Sequence, residues 1–147
     1  MSLKGSLLRR GLMINYAEIM KRVFSGKVQA APTDMTVAAT ITTAAMKAGL
    51  IAATHDAGAT AAYTLPTGTV MDADLTSDII VNDSFEFTII NLSAALADTI
   101  TLTAAEGFTI VGQATVDSAH GDSEFPSSGT FRCRKTAANT FVAYRTA

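Results

Sequence analysis

The chain has 147 residues and a mass of 15.3 kDa, a length that suits one domain plus an arm. Apolar residues make up 48%, but 26 of them are alanines and none is Trp, and Ala with Thr supply 47 positions. Leu, Ile, Val and Phe together number 35, which excludes a disordered chain and allows a core of modest side chains. The net charge of −2 hides a split: residues 1–30 carry +5, residues 31–131 carry −11 and residues 132–147 carry +4. A basic leader on an acidic body points to an arm whose partner differs from the body's. Its five net charges, mixed evenly with Leu, Ile and Met, are too few for a nucleic-acid tail.

Residues 6–24 read as an amphipathic helix. Leu8, Leu12, Tyr16, Met20 and Phe24 recur at i, i+4, while Arg9, Arg10, Lys21 and Arg22 fall largely elsewhere. Such a helix must pack on the body, on copies of itself, on another protein or on a membrane surface. The narrow apolar face without Trp argues against the membrane. Residues 26–33 form a small-residue linker containing Pro32. Thr42 or Thr43 caps a short helix through Ala44–Ala48 that stops at Gly49.

Strand patterns follow at residues 50–54 and 59–65, separated by a turn at 55–58 and ended by Pro66, with a helical turn at 67–75. Residues 84–91 alternate Phe85, Phe87 and Ile89 inward with Ser84, Glu86 and Thr88 outward, and 99–103 alternates Ile100 and Leu102 with threonines. Strands at 108–111 and 114–116 are punctuated by Gly107 and Gly112. Residues 119–129 are loop by composition, and 130–135 with 140–145 form a hairpin around 136–139. The reading is all-β: a β-sandwich or jelly-roll-like barrel body over residues 34–147, with an N-terminal amphipathic helical arm and linker over 1–33.

Few residues advertise chemistry. His55 and His120 both sit in predicted turns, and no serine has nucleophile-elbow spacing. Asp72, Asp74, Asp78 and Asp83 fall within twelve positions, as in a calcium loop. Ser77 stands at the sixth position and Asp83 at the twelfth, where such loops carry Gly and Glu, so a solvated acidic face competes with a weak cation site. Zinc spacing, phosphate-cradling glycines and a dinucleotide fingerprint are missing from the sequence, and no cofactor is expected. Cys133 is the only cysteine, which excludes an internal disulfide and fits a buried thiol. Arg132, Arg134, Lys135 and Arg145 lie on strands near Phe141 and Tyr144. They are expected to pair with acidic groups across strands in preference to nucleic acid. Basic residues and Glu18 interrupt every candidate leader or spanning segment, so the expectation is a soluble, cytosolically made protein without membrane contact.

Several runs carry a resemblance. These are residues 63–67 (Tyr-Thr-Leu-Pro-Thr), 83–91 with its Ser-Phe-Glu-Phe strand, 97–102, 107–112, and the closing hairpin of 128–136 and 139–145 with its Phe-Arg-Cys-Arg segment. Together, over about residues 40–147, the pattern resembles head decoration, or cement, proteins of tailed bacteriophages. The resemblance implies a structural virion protein made in the host cytoplasm, with no catalytic site. It would sit on the outer capsid surface, commonly as a homotrimer, and clamp neighbouring major capsid protein subunits. The arm residues Leu8, Leu12, Tyr16, Met20 and Phe24, with Arg9, Arg10, Lys21 and Arg22, are then candidates for the contact with the capsid or for self-assembly. Other readings are a phage tail, collar or fibre module and a carbohydrate-binding β-sandwich; a small hydrolase comes last. The sugar-binding reading lacks support because there is no Trp and most aromatics take inward strand positions or the arm.

Overall fold

The computed structural model describes residues 29–55, 58–75, 79–123 and 125–147. The predicted arm helix and the first part of the linker therefore lie outside the described residues. The body is mainly β, with nine strands and two short helices among the described residues.

The first strand, β1 (Thr33–Met35), starts directly after Pro32, one residue inside the expected linker. Helix α1 (Thr43–Ala48) has the caps its sequence predicts. Thr42 is extended (φ −75°, ψ 152°) and its hydroxyl accepts from Ala45 N at 3.1 Å. Gly49 closes the helix in the left-handed conformation (φ 85°), its N–H reaching Ala45 O and Met46 O. The helix buries Ala45 and Met46 in the core. Strands β2 (Leu50–Ala53) and β3 (Ala61–Thr64) follow, then α2 (Gly68–Leu75), whose buried Gly68, Met71 and Leu75 recur at helical spacing.

Beyond α2 come β4 (Ser84–Asn91), β5 (Ile100–Thr103), β6 (Phe108–Val111), β7 (Thr115–Val116), β8 (Ser128–Ala137) and β9 (Thr140–Arg145). One six-stranded sheet has the order β1-β2-β4-β8-β9-β6, and a three-stranded sheet has the order β3-β5-β7. Strand positions in the second half match the alternation, with Phe87 and Ile89 buried and Phe85 packed at the edge of the core. The hairpin turn is tighter than expected: β8 runs on to Ala137, leaving Ala138 and Asn139, the latter at φ 55°.

Strand direction is not carried by alternation. The β1–β2, β2–β4, β3–β5 and β6–β9 ladders are parallel, while β4–β8, β8–β9 and β5–β7 are antiparallel. Both sheets contribute to one buried cluster. Phe87, Phe131, Cys133 and Phe141 come from the large sheet, and Tyr63, Ile100, Leu102 and Val116 from the small one. Phe87 and Phe131 stack with centroids 5.5 Å apart, and Phe108 and Phe141 with centroids 5.1 Å apart. The buried Tyr63 hydroxyl donates to Met35 O at 3.2 Å, tying the small sheet to the edge strand of the large one. The threonine bias has a structural use as well. Thr88 pairs with Thr130 at 2.9 Å and Thr64 with Thr103 at 2.8 Å, each hydroxyl bond joining register partners on adjacent strands.

Candidate functional site

The β2–β4 ladder ends at Ala53 and Asn91, and three loops meet there, between 53 and 60, over 92–99 and over 117–127, described at 54–55, 58–60, 92–99, 117–123 and 125–127. Asn91 occupies the inward register of β4, where Phe85, Phe87 and Ile89 precede it, and is 1% exposed. Its amide donates to Asp98 O at 2.7 Å and to Val116 O at 3.4 Å, and its oxygen accepts from Ser93 N at 3.1 Å. One side chain thus links the end of the large sheet to the small sheet and to the 92–99 loop.

The pattern repeats around it. Ser93 Oγ accepts from His55 N at 2.7 Å and donates to His55 O at 3.0 Å, fixing the 53–60 loop. Asp98, 2% exposed, accepts from Gly58 N at 2.6 Å. Asp117, 7% exposed, accepts from Phe125 N at 2.9 Å, while its own N–H reaches Pro126 O. Ser118 Oγ meets Ser123 Oγ at 3.2 Å, and Ala119 N donates to Ser93 O. No buried side-chain N or O among the described residues lacks a partner. A fully satisfied buried network holds loops in one arrangement, because any alternative leaves a desolvated group unpaired. On this fixed base Leu92, Leu96 and Phe125 are exposed.

The other singled-out residues go elsewhere. The nine arm residues, Leu8 to Phe24, lie outside the described residues, as does Asp78. Asp72 on α2 pairs with Lys135 Nζ and accepts from Asn139 N at 3.0 Å, pinning the β8–β9 turn to the helix. Asp74 accepts from the Thr43 hydroxyl, and Asp83 accepts from Ile80 N at 3.1 Å. These carboxylates therefore serve three separate structural contacts. Among the described residues no three His, Cys, Asp or Glu side chains are grouped to hold a metal.

His55 and His120 both belong to the loop end. His120 Nδ1 accepts from Asp122 N at 3.1 Å within an exposed turn. Cys133 is fully buried, and burial pushes its thiol up to about 12, so it carries no thiolate at neutral pH. Arg132 grips Glu86 through Nε at 2.9 Å and Nη2 at 2.7 Å, as the cross-strand expectation has it. Arg134 instead meets the Asn82 amide oxygen. Arg145 turns inward over Phe131, 5.2 Å from the ring centroid, and donates to Thr115 O and Ser128 O. The outer face of the large sheet holds a polar concavity of about 360 Å³, bounded by Gln29, Lys47, Glu86, Thr88 and Thr130.

The Asp72 contact carries a pH prediction. Hydrogen bonding to Lys135, then to the Asn139 amide, holds the Asp72 carboxyl below its ordinary 3.8, with the side chain 17% exposed. A depressed value stabilises the fold above the unfolded-state value, and that contribution is lost as pH falls through the folded one. Asp72→Asn is therefore expected to lower stability at pH 7, with the deficit shrinking progressively as pH falls below 3.8. Urea melts at a series of pH values from 7 downward check this; a difference that stays constant contradicts it.

No helix among the described residues is long and apolar enough to cross a membrane. No family model, curated protein or solved structure matches the chain.

Proposed function

We propose that the chain is a structural virion protein. It is a capsid decoration, or cement, protein that binds the outside of a major capsid shell as a homotrimer and stabilises capsomer contacts. The observation that carries this reading is the loop end. Its buried polar side chains are taken up in holding neighbouring backbone, while Leu92, Leu96 and Phe125 face outward from the fixed loops. Such a surface suits attachment: rigid loops keep the ordering cost of binding low, and exposed apolar groups supply the favourable area. Many copies, each with a modest interface, stiffen a shell through multivalency.

In this reading the body is a two-sheet β-sandwich. The shared core between the two sheets supports it, and the parallel ladders speak against a jelly roll, which is antiparallel throughout. The partners are the major capsid protein and copies of the chain itself, and function requires no cofactor, nucleic acid or membrane.

The test is stoichiometry. In particles of the phage that encodes this chain, quantitative mass spectrometry is expected to find hundreds of copies in fixed ratio to the major shell protein. A handful of copies per particle moves the protein to the tail, collar or fibre. Its absence from particles overturns the structural reading.

A further inference from the structure

We infer that the loop end is the seat of residues 1–28 of a second copy of this chain, so that the N-terminal segments link the copies of the oligomer. The inference deepens the virion reading: it gives the loop end to the contact between copies of the chain, and because its test uses the free protein in solution it can fail while the particle stoichiometry stands.

The chain preceding Gln29 is 28 residues long and its sequence sets what it needs. Lys4, Arg9, Arg10, Lys21, Arg22 and Lys27 stand against the single acid Glu18, and apolar residues recur at i, i+4 from Leu8 to Phe24. A matching surface must offer negative potential and exposed apolar atoms together. The outer face of the large sheet offers the wrong sign: Arg132 is matched by Glu86, while Arg134 and Lys47 add positive charge. On the α2 side cations stand beside the acids, Lys135 paired with Asp72 and Lys47 reaching the Asp74 carbonyl at 3.4 Å, and the exposed apolar group is Val70.

The loop end offers both requirements. From Ala48 to Phe131 the sequence has no Lys or Arg, while the 92–99 and 117–127 loops hold the buried backbone acceptors Asp98 and Asp117 and the exposed carboxylate of Asp122. Leu92, Leu96 and Phe125 are 54%, 49% and 38% exposed on two of the three loops. Because the described loop residues His55, Gly58 and Phe125 are tied by hydrogen bonds to Ser93, Asp98 and Asp117, the seat they frame is formed before anything binds.

The chain path favours a second copy over the segment's own body. Strand β1 runs parallel to β2, toward the loop end, so the chain before it comes from the opposite direction. The Gln29 side chain, donating to Ala48 O at 2.8 Å, holds that departure near the start of β2. To reach its own loop end the segment would have to double back along the body. Reaching a neighbour needs no reversal, and a head-to-tail contact of this kind closes into a ring when the rotation is cyclic.

The test uses the full-length chain. Equal amounts of ¹⁴N- and ¹⁵N-labelled protein are mixed, treated with a carbodiimide that joins ammonium groups to carboxylates, and mapped by mass spectrometry. The expected product joins Lys4, Lys21 or Lys27 to Asp122, whose side chain is 86% exposed, in mixed-isotope pairs. Same-isotope pairs alone overturn the second copy. Links from those lysines chiefly to Asp34 or Glu86, or no such links, overturn the seat. Light scattering supplies a second arm. The double variant Leu92→Ser/Leu96→Ser changes only exposed side chains and is expected to raise the concentration for assembly at least about tenfold. An unchanged oligomer, or a monomeric wild type, overturns the inference.

Discussion

Replacing Gly68 with alanine is expected to destabilise the fold by more than about 3 kcal/mol, lowering the melting temperature by roughly 10 °C. At Gly68 a Cβ would lie 2.0 Å from the carbonyl oxygen of Asn139, and at Gly107 it would lie 2.4 Å from the same oxygen. The obstacle is backbone, so no rotamer change relieves it. Here the start of α2, the start of β6 and the β8–β9 turn touch main chain to main chain, with Gly68 N donating to Glu106 O at 2.7 Å and Phe141 N to Gly107 O at 2.8 Å. Gly107→Ala meets a second cost of about 1–2 kcal/mol, because its φ of +83° disfavours a side chain. Thermal melts followed by circular dichroism check both variants. A Gly68→Ala protein that melts with wild type contradicts the close approach.

Asn91→Ala is the second large loss, about 2–4 kcal/mol. It strands Ser93 N without its acceptor and removes the donor to Asp98 O and Val116 O, all inside the fold. The loss should also be local in character. The 92–99 loop and the end of the small sheet lose their shared tie, whereas α1 and the β8–β9 hairpin are untouched. Thr109→Ala, on an exposed position of β6, is expected to stay within about 0.5 kcal/mol of wild type. Denaturant melts that place Asn91→Ala beside Thr109→Ala would contradict the role given to the network.

What could be read from the sequence was local. Thr42 and Gly49 bracket α1 because capping is decided within four residues, and β4 was legible because alternation is a property of one strand. The Gly68–Gly107–Asn139 contact joins three distant positions, and nothing in their neighbourhoods foretells it. Strand direction is likewise set between strands, which is why the parallel ladders were not foreseen. Sequence proximity misled at the acidic run. Asp72 and Asp74 are two residues apart on a helix, about 200° around its axis, so they turn to different partners.

The loop end left one signal in the sequence. Asn91 takes an inward position after Phe85, Phe87 and Ile89, and a polar residue in that register must find partners. Which partners, Asp98 and Val116, depended on the fold. The arm residues, from Leu8 to Phe24, lie outside the described residues, and their place in an interface is part of the proposal.

Both functional proposals rest on loops that are fixed before any partner arrives, and hydrogen exchange of the free full-length protein tests this most directly. The N–H groups of His55, Gly58, Ser93, Asp117, Ala119 and Phe125 each have a defined acceptor within or between the three loops. They are predicted to exchange at least about a hundredfold more slowly than in an unfolded peptide, within reach of the β4 and β8 amides. Exchange of these six amides at unfolded-peptide rates, with the strands still protected, would contradict the account.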